Sequence, residues 1–474
     1  MQRDQDHKAC VTQAHFFLSI ICLLLPLLGH AVGTETAGPY QFAVTLDGMV
    51  SSETGKAPVA HIWIPEGVSK VKAVVLAQQN MTEERIFKMD TFRKEMKRLG
   101  IALIWVAPAF SQNWDPQTGC QSIFEDMMKN IGYQCDHKEI GSAPVIPLGH
   151  SAQATFPWNF AAWNPKRTLC IISFHGDAPR TNLTGYGRAN VEWGRNRNID
   201  GIPGLMVEGE YEWWEARVRP ALAFQMMYPG SVISFLCDTG RGHFDCGEAT
   251  ARYLAKFIEK SMQLRLNADG SLRPVRREDG WLACRYRADL PENDGDGKGQ
   301  GVYDGQGYAP AAPYTNYQGD KHDAFWYPDE EMARLTEQRY AQSRGKKRQF
   351  VGLEYEGQLV KLNPHIQTQM GIDFHSDSKD SITIRLKGVY TDATHEVRSN
   401  AHGKATPHVE VVAGPIKKVN ATTFRLYPYE AGWDNTRRSL RCTMVVVADA
   451  DDNYRGAVQP FTIVIPTRLI SKIK

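Results

Sequence analysis

Ser151 stands at the end of an apolar run, residues 144–148, that closes on Gly149 and His150 and passes directly into Ala152, Gln153 and Ala154. A serine hydroxyl is unreactive at its free pKa. It becomes a nucleophile when a sharp strand-to-helix turn exposes it beside an imidazole and near backbone N–H groups. An apolar strand-like run, a glycine that keeps the turn uncrowded, the serine and then small residues suited to a helix start make that presentation. The chemistry it points to is attack on an acyl carbonyl.

Such a turn needs a buried parallel sheet behind it. From about residue 40 to residue 261, short β-branched runs alternate with helical patterns, as in a parallel sheet covered by helices on both faces. Residues 60–64, 72–77 and 101–106 read as strands. One amphipathic helix is predicted over 82–99, where Ile86, Met89, Phe92, Met96 and Leu99 recur at three- and four-residue steps. A helix over 121–131, the nucleophile strand over 145–148 and a helix over 152–163 come next. Residues 169–174, 203–207 and 232–236 read as three more strands, and 244–262 as a closing helix.

This arrangement resembles the α/β-hydrolase family over about half of the chain, and the resemblance implies a triad in the order serine, acid, histidine. It places the histidine between the last strand and the last helix. His243 fills that slot, between Gly242 and Phe244. For the acid it favours Glu212, two residues beyond Glu210 and after the strand that ends near Val207, with Glu210 and Asp177 as rivals. Any one of the three can also be read as a solvated loop charge. The resemblance further implies an oxyanion hole of backbone amides, one from Ala152 and the other from the loop 77–81, where Gln79 is favoured. The common elbow is Gly-x-Ser-x-Gly, and here the second glycine is replaced by Gln153, which aims either at substrate or a neighbouring loop, or at solvent.

With 474 residues, 42% hydrophobic and 23% charged, the chain is globular and too long for one ordinary domain. The expected organisation is a leader over 1–33, the hydrolase region over 34–265, a linker or long surface loops over 266–340, and a β-sandwich-like domain over 341–474. Residues 16–28 are apolar but short for a membrane span, and small residues follow, so export to the periplasm or beyond is expected, with no membrane role after leader cleavage. A net charge of +2 gives no bulk attraction to nucleic acid. In an oxidising compartment the cysteines can pair, and a Cys237–Cys246 bridge would close the loop that carries His243. No Cys-x-x-Cys or His-Glu-x-x-His spacing occurs, so neither a metal nor another cofactor is expected.

Substrate clues lie between Asp177 and Pro203, where Arg180, Tyr186, Arg188, Trp193, Arg195 and Arg197 fall at the family's usual cap position, and at Trp213 and Trp214 beyond it. Aromatic rings suit sugar stacking, and arginines suit carboxylates or hydroxyls, whereas a lipase cap should be mainly aliphatic. Gln153, Arg180, Trp213 and Trp214 are therefore substrate-binding candidates, for a small-molecule or polysaccharide ester. The expected activity is that of a secreted serine esterase. A polyester depolymerase, a peptidase of the same fold, and a non-catalytic binding protein on a hydrolase scaffold stay open.

Overall fold

The computed structural model describes residues 40–466 apart from 52–54, 182–189, 195–197, 213, 287–308, 344, 362–367, 372–380, 415 and 428–438. The expected leader, Tyr186, Arg188, Arg195, Arg197 and Trp213 thus lie outside the described residues, as do the side chain of Trp214 and most of the glycine-rich stretch near 300.

An eight-stranded mixed sheet organises the first part of the chain. Its strands are β1 (Phe42–Thr45), β2 (Val59–Trp63), β3 (Ala73–Gln78), β4 (Ile101–Ala107), β5 (Val145–His150), β6 (Ile171–Phe174), β7 (Pro203–Gly209) and β8 (Val232–Asp238), in the order β1-β2-β4-β3-β5-β6-β7-β8. Only β1, β2 and the β2–β4 junction are antiparallel; β4-β3-β5-β6-β7-β8 run parallel. Every residue of β3, β4, β5, β7 and β8 is buried, which is why these strands read as continuous apolar runs rather than alternating ones. This mixed α/β sheet with flanking helices resembles the α/β-hydrolase arrangement.

The helices are α1 (Glu83–Lys88), α2 (Asp90–Leu99), α3 (Cys120–Gln134), α4 (Phe156–Trp163), α5 (Trp214–Met227) and α6 (Glu248–Arg265). α3 and α4 cover one sheet face, where Phe124, Met128, Ile131, Phe156 and Phe160 share a core with Val74, Leu76, Ile104 and Val106. Each such apolar side chain contributes about 1.5–3 kcal/mol by leaving water. The single helix expected over 82–99 is two. Met89, at ψ 125°, breaks it, because Glu83, Arg85, Ile86 and Phe87 are all buried and turn α1 inward.

The segment expected as a linker is largely built. It holds a three-stranded sheet of β9 (Trp281–Cys284), β10 (Ala312–Pro313) and β11 (Ala324–Tyr327), and α7 (Glu330–Ser343). These elements close the free edge of β8: Tyr327 Oη donates to the Phe235 carbonyl at 2.6 Å, and Tyr340 Oη accepts from the Cys237 amide at 3.3 Å. An edge strand left open is an aggregation template, and tyrosine side chains satisfy this one.

Two further sheets follow. One orders β13 (Gln358–Leu359), β12 (Phe350–Tyr355), β15 (Ile382–Thr391), β18 (Thr423–Leu426) and β17 (Ile416–Lys418). The other orders β14 (Thr368–Gly371), β20 (Ala457–Pro466), β19 (Ser439–Ala448) and β16 (His408–Ala413). Val351, Leu353, Ile384 and Phe424 of the first share one apolar core with Val409, Met444, Val446 and Phe461 of the second. None of the described helices is long and apolar enough to cross a membrane.

Candidate active site

The loops after β5, β6, β7 and β8 leave the sheet at the carboxyl ends of four adjacent parallel strands, about 5 Å apart. Side chains from positions far apart in sequence therefore converge. The sheet also reverses its winding at β3, between β4 and β5, and the crevice outside such a switch is where open α/β sheets place ligands.

Ser151 follows β5 with φ +52°, a left-handed conformation that a non-glycine residue adopts under constraint, and begins a short 3-10 turn through Gln153. Gly149 is obligatory here: a Cβ on it would lie 2.0 Å from the Gln153 carbonyl oxygen. Two neighbours brace the elbow. The His150 amide donates to Glu83 Oε1 at 2.7 Å, and Asn80 Nδ2 donates to the His150 carbonyl at 2.6 Å.

Ser151 Oγ lies 2.8 Å from His243 Nε2, although the two residues are 92 positions apart. His243 Nδ1 lies 2.5 Å from Glu212 Oε2. Of the three carboxylates considered, Glu212 is thus the one on the imidazole. Its other oxygen accepts from His175 Nδ1, in the loop after β6, and from the Gly209 amide. Burial would push the Glu212 carboxyl up, but the charge and hydrogen bond of His175, together with those of His243, hold it well below the usual carboxylate range. The carboxylate is ionised at neutral pH.

Asp177 and Glu210 are engaged elsewhere. Asp177 is fully buried and lies 3.7 Å from the Arg217 guanidinium, which also lies 3.6 Å from Glu208. Glu210 accepts from the Gly240 amide at 2.7 Å and from Tyr286 Oη at 2.5 Å, and pairs with Arg455 at 2.8 Å.

A third imidazole completes the group. His150 Nε2 lies 2.9 Å from the His243 carbonyl oxygen, with the rings 5.0 Å apart. Burial, reinforced by the imidazoles of His243 and His175, holds His150 well below its ordinary pKa, so it is neutral. A carbonyl can only accept, which puts the His150 proton on Nε2. His175, Glu212 and His243 hold donor atoms within 4.8 Å of one another, close enough to hold a cation. Each carboxylate oxygen, however, already faces an Nδ1, and that geometry suits shared protons.

Gln79 departs from expectation. Its amide donates to the Val106 carbonyl at 2.7 Å, extending the β3–β4 ladder one residue past the strand, and is committed there. Ala152, buried, sits directly behind the serine. Gln153 is also buried, and its Nε2 lies 3.5 Å from the Gln79 carbonyl, so it faces the neighbouring loop and not solvent.

Of the expected cap residues that are described, Trp193 is packed inside and Arg180 is exposed. Trp193 is buried, donates to Asn159 Oδ1 at 2.7 Å and packs on Phe224. Arg180 donates to Tyr228 Oη at 2.6 Å and lies over the Trp193 ring.

The expected Cys237–Cys246 bridge is absent: both are free buried thiols, as are Cys120, Cys135, Cys170, Cys284 and Cys442. Cys237 lies among the carboxylates of Glu210, Asp238, Glu212 and Glu208, whereas Cys246 lies beside Arg85. Burial pushes the Cys246 thiol up to about 12.

Sequence reasoning missed His150, His175, Glu83 and Asn80 as parts of the site. His150 adjoins the serine and His175 is two residues from Asp177, so proximity to a named candidate was the available signal.

No protein-family profile matches the chain, and no curated protein matches it. Among solved structures it is similar to Est1E from Butyrivibrio proteoclasticus, at 13% identity and TM-score 0.31, over 47% of this chain and 99% of that one. It is similar also to the structure of FphF, a Staphylococcus aureus fluorophosphonate-binding serine hydrolase, at 11% identity and TM-score 0.32, over 46% of this chain and 97% of that one. An arylesterase structure overlaps at 12% identity and TM-score 0.32, over 54% of this chain and 97% of that one.

Proposed function

We propose that the chain is a serine hydrolase, first of all a carboxylic ester hydrolase, with Ser151 as nucleophile, His243 as general base and Glu212 as the orienting acid. The observation that carries this reading is the unbroken hydrogen-bond line from Ser151 Oγ through both nitrogens of His243 to the buried Glu212 carboxylate, at 2.8 and 2.5 Å. Ser151 Oγ attacks the acyl carbon while its proton passes to His243 Nε2. The resulting imidazolium is stabilised by Glu212 through Nδ1–H, and Nε2 returns the proton to the departing alcohol. Water then repeats the sequence in reverse and releases the acid.

The Ala152 amide supplies one oxyanion donor in this reading. With the Gln79 amide spent on Val106, the second donor is assigned to the amide of Asn80, whose side chain already ties that loop to the elbow. Export after leader cleavage, a carbohydrate-linked or other small ester as substrate, and a β-sandwich over the last 130 or so residues complete the reading. The shared core of the two final sheets supports the sandwich.

The test is hydrolysis of a short-chain aryl ester by the purified chain, with fluorophosphonate labelling of the nucleophile. Both should vanish in Ser151→Ala. Hydrolysis that survives the substitution overturns the assignment, and activity on polyhydroxyalkanoate or peptide but on none of a panel of acetylated, feruloylated and uronate-ester sugars redirects the substrate class.

A further inference from the structure

Glu210 lies two residues before Glu212, yet it reaches neither His243 nor Ser151. Its carboxylate instead joins three distant segments. Oε2 accepts from the amide of Gly240, in the loop that delivers His243, at 2.7 Å. Oε1 accepts from Tyr286 Oη at 2.5 Å and from the Arg455 guanidinium at 2.8 Å, and Arg455 lies two residues before the start of β20. Burial opposes the charge on Arg455, but the Glu210 carboxylate holds the guanidinium above its ordinary pKa.

Arg455 is itself fixed at both ends. Its amide donates to the Lys347 carbonyl at 2.9 Å, its carbonyl accepts from Gln349 Nε2 at 2.7 Å, and its Nε donates to the Ser343 carbonyl at 3.3 Å. The next residue presses on the histidine loop directly: Gly240 has φ +74°, and a Cβ on it would lie 2.0 Å from the Gly456 carbonyl oxygen. On the acid side, the Arg348 guanidinium covers the Tyr211 ring at 3.5 Å, between Glu210 and Glu212. The two loops also grip each other through the Tyr211 amide and the Arg241 carbonyl, at 2.9 Å.

We propose that Glu210 and Arg455 are positioning residues, through which the C-terminal β region holds the Glu212 and His243 loops at the spacing that general base catalysis needs. This rests on the hydrolase reading above and gives the β region a role in catalysis. A shift of about 1 Å in a catalytic group can reduce rate about 100-fold. A buried carboxylate that loses its guanidinium is no longer held against both loops, whereas substrate contacts stay in place.

The experiment uses the full chain carrying Arg455→Met or Arg455→Lys, with kcat and KM on a short-chain aryl ester and the far-downfield proton resonance of the His243–Glu212 hydrogen bond. Arg455→Met should lower kcat by about 10- to 100-fold with KM within about twofold, and broaden or lose the resonance. Arg455→Lys, which keeps the charge, should recover at least a third of the wild-type kcat. The resonance reads positioning even in a chain that hydrolyses no ester, so loss of the hydrolase reading and loss of this one are distinguishable. A wild-type kcat and an intact resonance in Arg455→Met overturn the proposal. So does equal damage in both variants with KM rising alongside. If Arg455→Met does not fold, Tyr286→Phe removes one donor from the same oxygen, and a fall in kcat of about two- to fivefold at constant KM is then the expected result; no fall overturns it.

Discussion

His175 gives the most searching test of the site, because it shares the Glu212 carboxylate with His243 and is fully buried. Its Nδ1–H is a hydrogen bond to an ionised group, worth about 1.5–3 kcal/mol. Removing it should raise the Glu212 pKa from its depressed value and free one side of the carboxylate. If half of that energy serves to hold the carboxylate on the imidazolium that forms in the transition state, turnover falls by about four- to thirteenfold, or about 0.8–1.5 kcal/mol. The contrast is His175→Leu against His175→Asn. Asparagine Nδ2 can occupy the place of the ring Nδ1 and tolerates the φ of +49° that this position demands, whereas leucine can neither donate nor sit there without strain. The assay is turnover per site labelled by fluorophosphonate, which discounts misfolded protein, followed from about pH 4 to 8. His175→Asn should stay within about threefold of wild type. His175→Leu should lose about tenfold at neutral pH and more in acid, as the less well-held carboxylate takes up a proton. Wild-type turnover and an unmoved acid limb in His175→Leu, or equal damage in both variants, would refute the shared-carboxylate argument.

Glu212→Gln should lower turnover by about 10³–10⁴-fold at nearly unchanged KM, since an amide cannot stabilise the imidazolium, while Asp177→Asn should stay within about tenfold because Asp177 faces Arg217. Steady-state kinetics decide, and a severe Asp177→Asn defect beside an active Glu212→Gln enzyme would reverse the roles. Burial pushes the Glu83 carboxyl up to about 8 from its ordinary 4.5, so the folded chain binds more protons than the unfolded one in that window. Its contribution to stability is complete below the lower value and is lost as pH rises, by up to about 1.4 kcal/mol per unit. Glu83→Gln should therefore gain on wild type at each step from about pH 5 to 8 in denaturant titrations; a constant difference across that range contradicts the assignment.

What the sequence carried, and what it hid, follow from the range of the forces involved. The elbow was legible because Gly149 and Ser151 answer to a local steric demand, and His243 because glycine-flanked loops between a strand and a helix announce themselves. The break at Met89 was hidden, since Phe87, Met89, Phe92 and Met96 are all buried and the amphipathic spacing continues across it. The commitment of the Gln79 amide was hidden too: nothing in its own neighbourhood says that Val106 will accept it. The sheet after residue 280 was masked by glycine and proline around it, though Trp281, Phe325, Trp326 and Tyr327 carry its apolar content. His175 acquires its meaning from a partner 37 positions away, and such a pairing is a property of strand order, which a single sequence does not print.

Within the proposed hydrolase reading, the placing of the arginines gives a physical reason for Glu212 as the acid, a choice that local spacing left open. Asp177, Glu208, Glu210 and Asp238 are buried near the ends of β6, β7 and β8, and the Glu212 side chain beside them is 2% exposed, which makes five carboxylates to compare. Burial, and then the charge of Glu212, push the Glu208 carboxyl well above its ordinary pKa. Arg217 faces Asp177, Arg455 faces Glu210 at 2.8 Å, and Arg339 faces Asp238 at 2.5 Å. A guanidinium never gives up its proton at ordinary pH, so a carboxylate paired with one has its charge answered in every state of the reaction. Such a carboxylate responds weakly when a neighbouring imidazole becomes charged. Of the five, Glu212 is the one whose ion partners are imidazoles. In the proposed mechanism its charge is left to be met by the proton that His243 takes from Ser151, and the arginines beside Asp177, Glu210 and Asp238 keep that single site responsive.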